Sequence, residues 1–338
     1  MKNVASVTRA ISKRKTDYLK RRPHRTLRLT RRRDYKRSME LPGYWSFTIY
    51  AWKLLWKNRK TFLLLGLIYA ILTGLMVGIA SQDIYSTFAS TLDDVAEETI
   101  GVLGEFSRAG ALFFTAATGG FSQTLTDVQQ VYAVITGMLV WLTTIWLLRN
   151  ILAGHKIKLR DGLYNAGAPI LSTFLIVLVL LVQLIPLAIA FIGYAAASAT
   201  GLLTGGVEAM LFWIVAVLLG ALSAYWVTST LFALVIVTLP GMYPMKALKT
   251  AGDMVVGRRL RILLRLLWMG VMLAVVWMVV IMPVIMLDSW LKNMWPVIDW
   301  LPIVPVTLLV MSTITVIWSS SYIYLLYRKV VADETKPA

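Results

Sequence analysis

Six long apolar runs set the pattern along the chain. They are roughly Thr61–Ala80, Val131–Leu148, Pro169–Ala190, Met210–Leu239, Ile262–Met286 and Val304–Tyr327. A helix needs about 20 mostly apolar residues to cross the hydrocarbon core of a bilayer, so each run predicts one spanning helix. The fourth is long enough to tilt or to extend past the lipid. Pro186 and Pro283 lie near the far ends of their runs, where a proline is expected to kink or end its helix.

Short amphipathic stretches lead directly into the first, third and fifth runs. They begin at Trp45, Lys156 and Tyr243. In the first, Trp45, Ile49, Trp52 and Trp56 share a helical stripe, while Lys53 and Lys57 fall off it. Such a helix is expected to lie in the headgroup layer and set the depth of the span behind it. The unit of entry helix, outward span, loop and return span recurs about every 100 residues, which predicts a threefold internal repeat. All three copies enter from the same side, so a symmetry axis would run along the membrane normal. The fold expected is all-α, with six transmembrane helices and interfacial helices before spans one, three and five.

Composition and charge agree with this and add an orientation. The chain of 338 residues is 58% apolar and only 15% charged, too few charges for the surface of a soluble domain of this length. Fifteen of the 34 Lys/Arg fall within the first 37 positions. If the amino terminus is inside, 32 of the 34 lie on the inner side, leaving only Arg108 and Lys292 outside. Ten of 17 acids, including Asp93, Asp94, Glu97 and Glu98, then lie outside. The positive-inside rule therefore predicts a plasma (inner) membrane protein with both termini cytoplasmic. The first 40 residues contain no apolar core of a secretory signal, so the first span is expected to act as an uncleaved anchor. The expected domains are a basic tail over 1–43, a six-helix body over 44–330 and a short cytoplasmic end over 331–338. An outer helical loop is expected over 81–130.

The third entry segment reads MKALKTAGDMVVGRRLRILLRLL from Met245 to Leu267, with milder echoes in the other two. It resembles the polytopic membrane domain of some glycerophosphodiester phosphodiesterases and of related uncharacterised bacterial membrane proteins. In architecture the resemblance covers Tyr44 to about Tyr327; in wording it is mostly confined to the third unit. It implies a six-helix integral membrane domain and leaves activity open. The phosphodiesterase chemistry of that family resides in a separate soluble barrel that has no counterpart here, so no catalytic residue carries over.

The tail holds 15 basic residues against Asp17 and Asp34. Its candidate contacts are Arg21, Arg22, Arg31, Arg32 and Arg33, joined by Lys53 and Lys57 and by Arg258, Arg259 and Arg261 of the third entry segment. Anionic headgroups are the first-ranked partner, since each basic residue near such a surface contributes about 1 kcal/mol. An acidic protein partner ranks second. Nucleic acid ranks last, because Tyr18 and Tyr35 are too sparse to form a stacking platform. Pro42-Gly43 reads as a hinge between tail and body.

Candidate chemistry is thin. Cysteine is absent and the two histidines, His24 and His155, lie outside the spans. No phosphate loop, zinc-binding helix or nucleophile elbow is present, and no predicted span carries Asp, Glu or His near its middle. Arg265, near the inner end of the fifth span, is expected to snorkel. The expectation is therefore a non-enzyme without catalytic, metal or cofactor residues. Gln183, Ser229 and Thr313 suggest a polar groove among helices three, four and six, though hydroxyls in spans more often serve packing. Gly66, Ala70, Gly74 and Gly78 form one ridge of small residues, and Ala216, Gly220 and Ala224 form another. Such ridges let helices approach closely within a chain, or alternatively between copies in a homo-oligomer. Trp45, Trp52 and Trp56 are the interfacial anchors. The functional expectation is a membrane- or envelope-organising scaffold whose basic inner face binds anionic lipid or a protein partner. The alternative is a transporter, facilitator or lipid-translocating protein working through the groove.

Overall fold

A computed structural model describes residues 41–78, 126–155, 157–200, 202–298 and 300–335. Arg21, Arg22, Arg31, Arg32 and Arg33 lie outside the described residues, as does nearly all of the expected outer loop. The described part is all-helical. Its helices are α1 (Tyr44–Lys57), α2 (Arg59–Met76), α3 (Asp127–Leu152), α4 (Leu159–Ala166), α5 (Ile170–Ala199), α6 (Gly206–Ile236), α7 (Pro244–Val255), α8 (Arg259–Met294) and α9 (Ile303–Thr335). Six of them, α2, α3, α5, α6, α8 and α9, are long and apolar enough to cross a membrane, and the protein is a multi-pass α-helical membrane protein. The order short, long, long occurs three times.

Several helices run further than their apolar runs. α3 begins at Asp127 because Thr126 and Gln129 form a capping box: the Gln129 amide donates to Thr126 Oγ1 and the Thr126 amide to Gln129 Oε1. Neither proline ends its helix. Pro186 sits inside α5 and Pro283 inside α8. Pro186 removes one donor from the ladder, and the next amide, that of Leu187, donates to Ser223 Oγ on α6 at 3.1 Å. α9 continues to Thr335, past the predicted end of the body at position 330. Gly78 leaves the predicted ridge: α2 stops at Met76, and Gly78 follows with φ +99°, a left-handed conformation that ends helices and favours glycine.

Packing repeats with the chain order. α4 lies against α3, the return span before it, and α7 lies against α6 in the same way. Gly154 and Gly241, with φ of +82° and +72°, turn the chain between each return span and its short helix. α1 has no described span before it, and it packs against the last hairpin, α8 and α9. The arrangement is thereby cyclic. Each outward span also touches two return spans: α2 meets α3 and α9, α5 meets α6 and α3, and α8 meets α9 and α6. α9 in turn contacts both other return spans, and Arg149 of α3 donates to the Thr238 carbonyl just after α6 at 3.0 Å.

Each hairpin carries a side-chain to side-chain hydrogen bond between its two spans, in α5–α6 beside the Leu187–Ser223 bond. The side-chain bonds are Tyr69–Thr143 at 2.9 Å, Thr230–Gln183 at 2.5 Å and Trp277–Thr315 at 2.8 Å. Hydrogen bonds of this kind between spans contribute about 0.6 kcal/mol each. The main core gathers at the end that carries the short helices. It includes Phe62, Leu65, Leu147, Leu148, Phe232, Ile236, Ile262 and Tyr322. A smaller cluster of Ile281, Ile285, Val304 and Met311 joins α8 to α9 further along. α5 and α6 pair with each other and expose most of their remaining surface, including Leu181, Ile185, Ile192, Leu211 and Leu218, as helices bathed in lipid do.

Gly162 marks the closest approach of α4 to α3. A Cβ there would lie 2.9 Å from Leu147 Cδ2 and 3.1 Å from Leu147 Cγ. Gly162→Val is expected to destabilise the protein by about 1–3 kcal/mol through overpacking, read as a lower unfolding midpoint in detergent. Adding Leu147→Ala should recover part of that loss, since it removes the atoms that clash.

Candidate site: the basic aromatic end

The short helices do more than anchor. α1 has three faces. Phe47 and Ala51 are buried against the body, while Trp45, Ile49, Trp52 and Trp56 are exposed on another face and Lys53 and Lys57 on a third. The tryptophan stripe predicted from spacing is therefore the outward face. The inward face rests on one large and one small side chain, Phe47 and Ala51, that periodicity alone did not single out. Trp52 and Trp56 stack at 6.0 Å, and the Arg59 guanidinium sits 5.4 Å from the Trp56 ring. Aromatic faces and cations are thus interleaved at the junction of α1 and α2.

The inward face of α1 closes the cycle through one buried cation. Arg265 of α8 does not snorkel; it is 5% exposed. Its Nη2 donates to the Pro42 carbonyl, and its guanidinium lies 4.4 Å from the Tyr44 ring and 5.6 Å from the Phe47 ring. One turn on, Trp268 Nε1 donates to Thr48 Oγ1 at 3.1 Å and its ring meets those of Tyr44 and Trp45. Phe47 packs edge-on against Tyr322 of α9 at 4.8 Å. Pro42, read as a hinge from its dipeptide, is thus a point of attachment between the tail and the fifth span.

The other predicted cations separate. Arg258 is 3% exposed and donates to the Val330 carbonyl of α9 at 3.3 Å, so it is a structural contact and not part of the open surface. Arg259 donates to the Tyr225 carbonyl at 2.9 Å and lies 3.7 Å from that ring. Arg261 is exposed. Lys53, Lys57 and Arg261 therefore remain as surface cations at this end, beside exposed Lys246 and Lys249 of α7.

The residues named for the predicted groove do not hydrogen-bond one another. Gln183 bonds Thr230 rather than Ser229. Ser229 donates back to the Trp226 carbonyl and Thr313 back to the Leu309 carbonyl. The small-residue ridges serve contacts within the chain. Gly66 faces Ile317 of α9 at 3.6 Å from its notional Cβ, and Gly220 faces Leu187 of α5 at 3.8 Å. Gly66, Ala70 and Gly74 line an apolar cleft of about 550 Å³ with Val306 and Val310 of α9. Ala216 lines a smaller cleft between α5 and α6, and Ala224 accepts the Thr228 hydroxyl through its carbonyl.

Sequence reasoning missed Asp288, which is 1% exposed on α8 and paired with Lys292 at 3.0 Å. It ended the fifth span at Met286. The i, i+4 spacing of Asp288 and Lys292 was the available signal that the helix continues.

No protein-family model, curated protein or solved structure matches the chain.

Arg265→Gln is expected to free α1. Loss of a charge-assisted hydrogen bond and of the ring stacking should cost about 2 kcal/mol or more. Trypsin should then cleave the folded protein at Lys53 and Lys57 faster than in the wild type. Trp268→Phe, which removes only the indole donor, should have a smaller effect in the same assay, near about 1 kcal/mol.

Proposed function

We propose that the protein is a non-enzymatic organising component of the plasma membrane. In this reading its basic end faces the cytoplasm and engages anionic headgroups or an acidic protein partner. The observation that carries it is the division of α1 into a docked face and an exposed face of four large apolar side chains flanked by lysines. A helix of that kind inserts its aromatics among headgroups while its cations meet anionic lipid. The tail, with 15 basic residues in 37, enters the body at Pro42, next to this face. The basic residues of α7 and Arg261 extend the same charge. Gln183, Ser229 and Thr313 spend their hydrogen bonds inside the bundle, which supports organisation over translocation through a groove.

Two measurements test this reading. The absence of cysteine allows single thiols to be placed at exposed positions without background. Lys249→Cys should react with an impermeant reagent only after the membrane is opened, and Thr200→Cys should react from outside. The reverse result would invert the topology. For lipid engagement, Lys53→Glu with Lys57→Glu should lower flotation of the detergent-purified protein with anionic liposomes and leave neutral liposomes unchanged. Equal flotation with both liposome types in the wild type would exclude headgroup charge as the ligand.

A further inference from the structure

Two clefts occupy equivalent places in the repeat. Each lies between an outward span and a return span of another hairpin: α2 with α9, and α5 with α3. Their volumes are about 550 Å³ and 630 Å³, and apolar side chains dominate both linings. The first runs along α2 from Phe62 to Leu75, opposite Val306 and Val310 of α9. Thirteen helical steps of 1.5 Å make it about 20 Å long. One leaflet's share of the hydrocarbon core is about 15 Å, so a single acyl chain fits along it. Gly66 and Ala70 are buried at its floor, while Leu63, Leu67 and Ile71 are exposed along it.

The two clefts differ at one end, and the difference selects the occupant. Arg59 precedes Phe62 and Leu63 by three and four positions, so it continues the stripe that lines the first cleft. It is exposed and lies 5.4 Å from the Trp56 ring, which is exposed too. Lys60 is exposed beside it. α2 begins here without a side-chain cap, because Asn58 Nδ2 donates back to the Leu54 carbonyl at 3.0 Å. The positive end of the α2 dipole therefore adds to the two cations. In the second unit α5 is preceded by Ala166, Gly167, Ala168 and Pro169, and its cleft takes polar lining from Asp127 and Gln130 of α3. An apolar cleft alone accepts any acyl chain or a neighbouring helix, and neither needs a cation at its end. A cleft that ends in two cations and an indole matches an anionic phospholipid, whose phosphate and chain are joined in that order.

We propose that the α2–α9 cleft binds one anionic phospholipid from the leaflet that borders the short helices. Its phosphate pairs with Arg59 and Lys60 beside Trp56, and one acyl chain lies in the cleft over Gly66 and Ala70. The proposal rests on the reading of the basic end as the headgroup side. It narrows that reading from a charged surface to a defined lipid site, and it assigns no charge selectivity to the α3–α5 cleft.

The test uses the full-length, delipidated protein in detergent, and the chain has no cysteine of its own. Leu64→Cys, exposed beside the cleft, and Val182→Cys, exposed on α5, each carry a bimane label. Its quenching is titrated with phosphatidylglycerol or phosphatidylcholine bearing brominated acyl chains. At Leu64 phosphatidylglycerol should half-quench at a lipid fraction about fivefold lower than phosphatidylcholine. At Val182 the two curves should coincide. Arg59→Gln with Lys60→Gln replaces two exposed side chains and should bring the curves at Leu64 together. Equal quenching by both lipids at Leu64, or a preference that survives in the double variant, overturns the proposal. Quenching at Val182 with none at Leu64 also overturns it, since another helix would then cover the cleft. The Lys53→Glu, Lys57→Glu protein should keep the preference at Leu64. Flotation of the wild type with anionic liposomes, without a preference at Leu64, would remove this site and leave the reading of the basic end standing.

Discussion

Each short helix needs a partner for its inward face, and the fold supplies it from the return span that precedes it. α4 takes α3, and α7 takes α6. Among the described residues α1 has no such span before it and takes the last one, with α8 alongside. That contact turns a chain of three similar units into a closed set. It is made by one buried guanidinium, one indole donor and a cluster of rings. In lipid, apolar faces gain little by leaving their solvent for one another. Closure by polar and aromatic contacts is therefore the economical physical solution at this end.

The rest of the packing follows from where burial is concentrated. The main core lies where short and long helices meet, and the α5–α6 hairpin leaves its apolar surface outward. Within each hairpin a side-chain hydrogen bond links the two spans, with a second bond from the Leu187 amide to Ser223 in α5–α6. The same economy explains the fate of the hydroxyls. Ser229 and Thr313 return their protons to their own helices, as hydroxyls do where no water competes.

Much of the architecture was legible as pattern. Apolar runs of spanning length gave six long helices, and basic amphipathic stretches gave three short ones, because length and periodicity are local properties. Boundaries were less legible. Pro186 and Pro283 read as kinks or ends, and both lie inside continuing helices, in one case with a neighbouring helix bonding the adjacent amide. Gly78 read as part of a ridge but terminates its helix, since four-residue spacing does not record where the backbone turns left-handed. Asp288 fell outside a span drawn by hydropathy, although its partner four residues on marked a continuing helix. In the candidate site the exposed tryptophans and lysines of α1 were named from spacing. Arg265 was noticed and assigned to the wrong environment, because its partners come from Pro42, Tyr44 and Phe47, more than 200 positions away.

The sequence by itself determined the class, the number of long helices and the thrice-repeated order of elements. These depend on the free energy of placing each segment in lipid, which is nearly independent of the other segments. Only the tertiary structure decided which face of each short helix meets protein, which arginines stay on the surface and which are enclosed. Arg258, Arg261 and Arg265 look alike along one helix start, yet the first caps a carbonyl of α9, the second is exposed and the third closes the cycle. Their roles depend on distant backbone carbonyls and rings, and no local pattern encodes the approach of those groups.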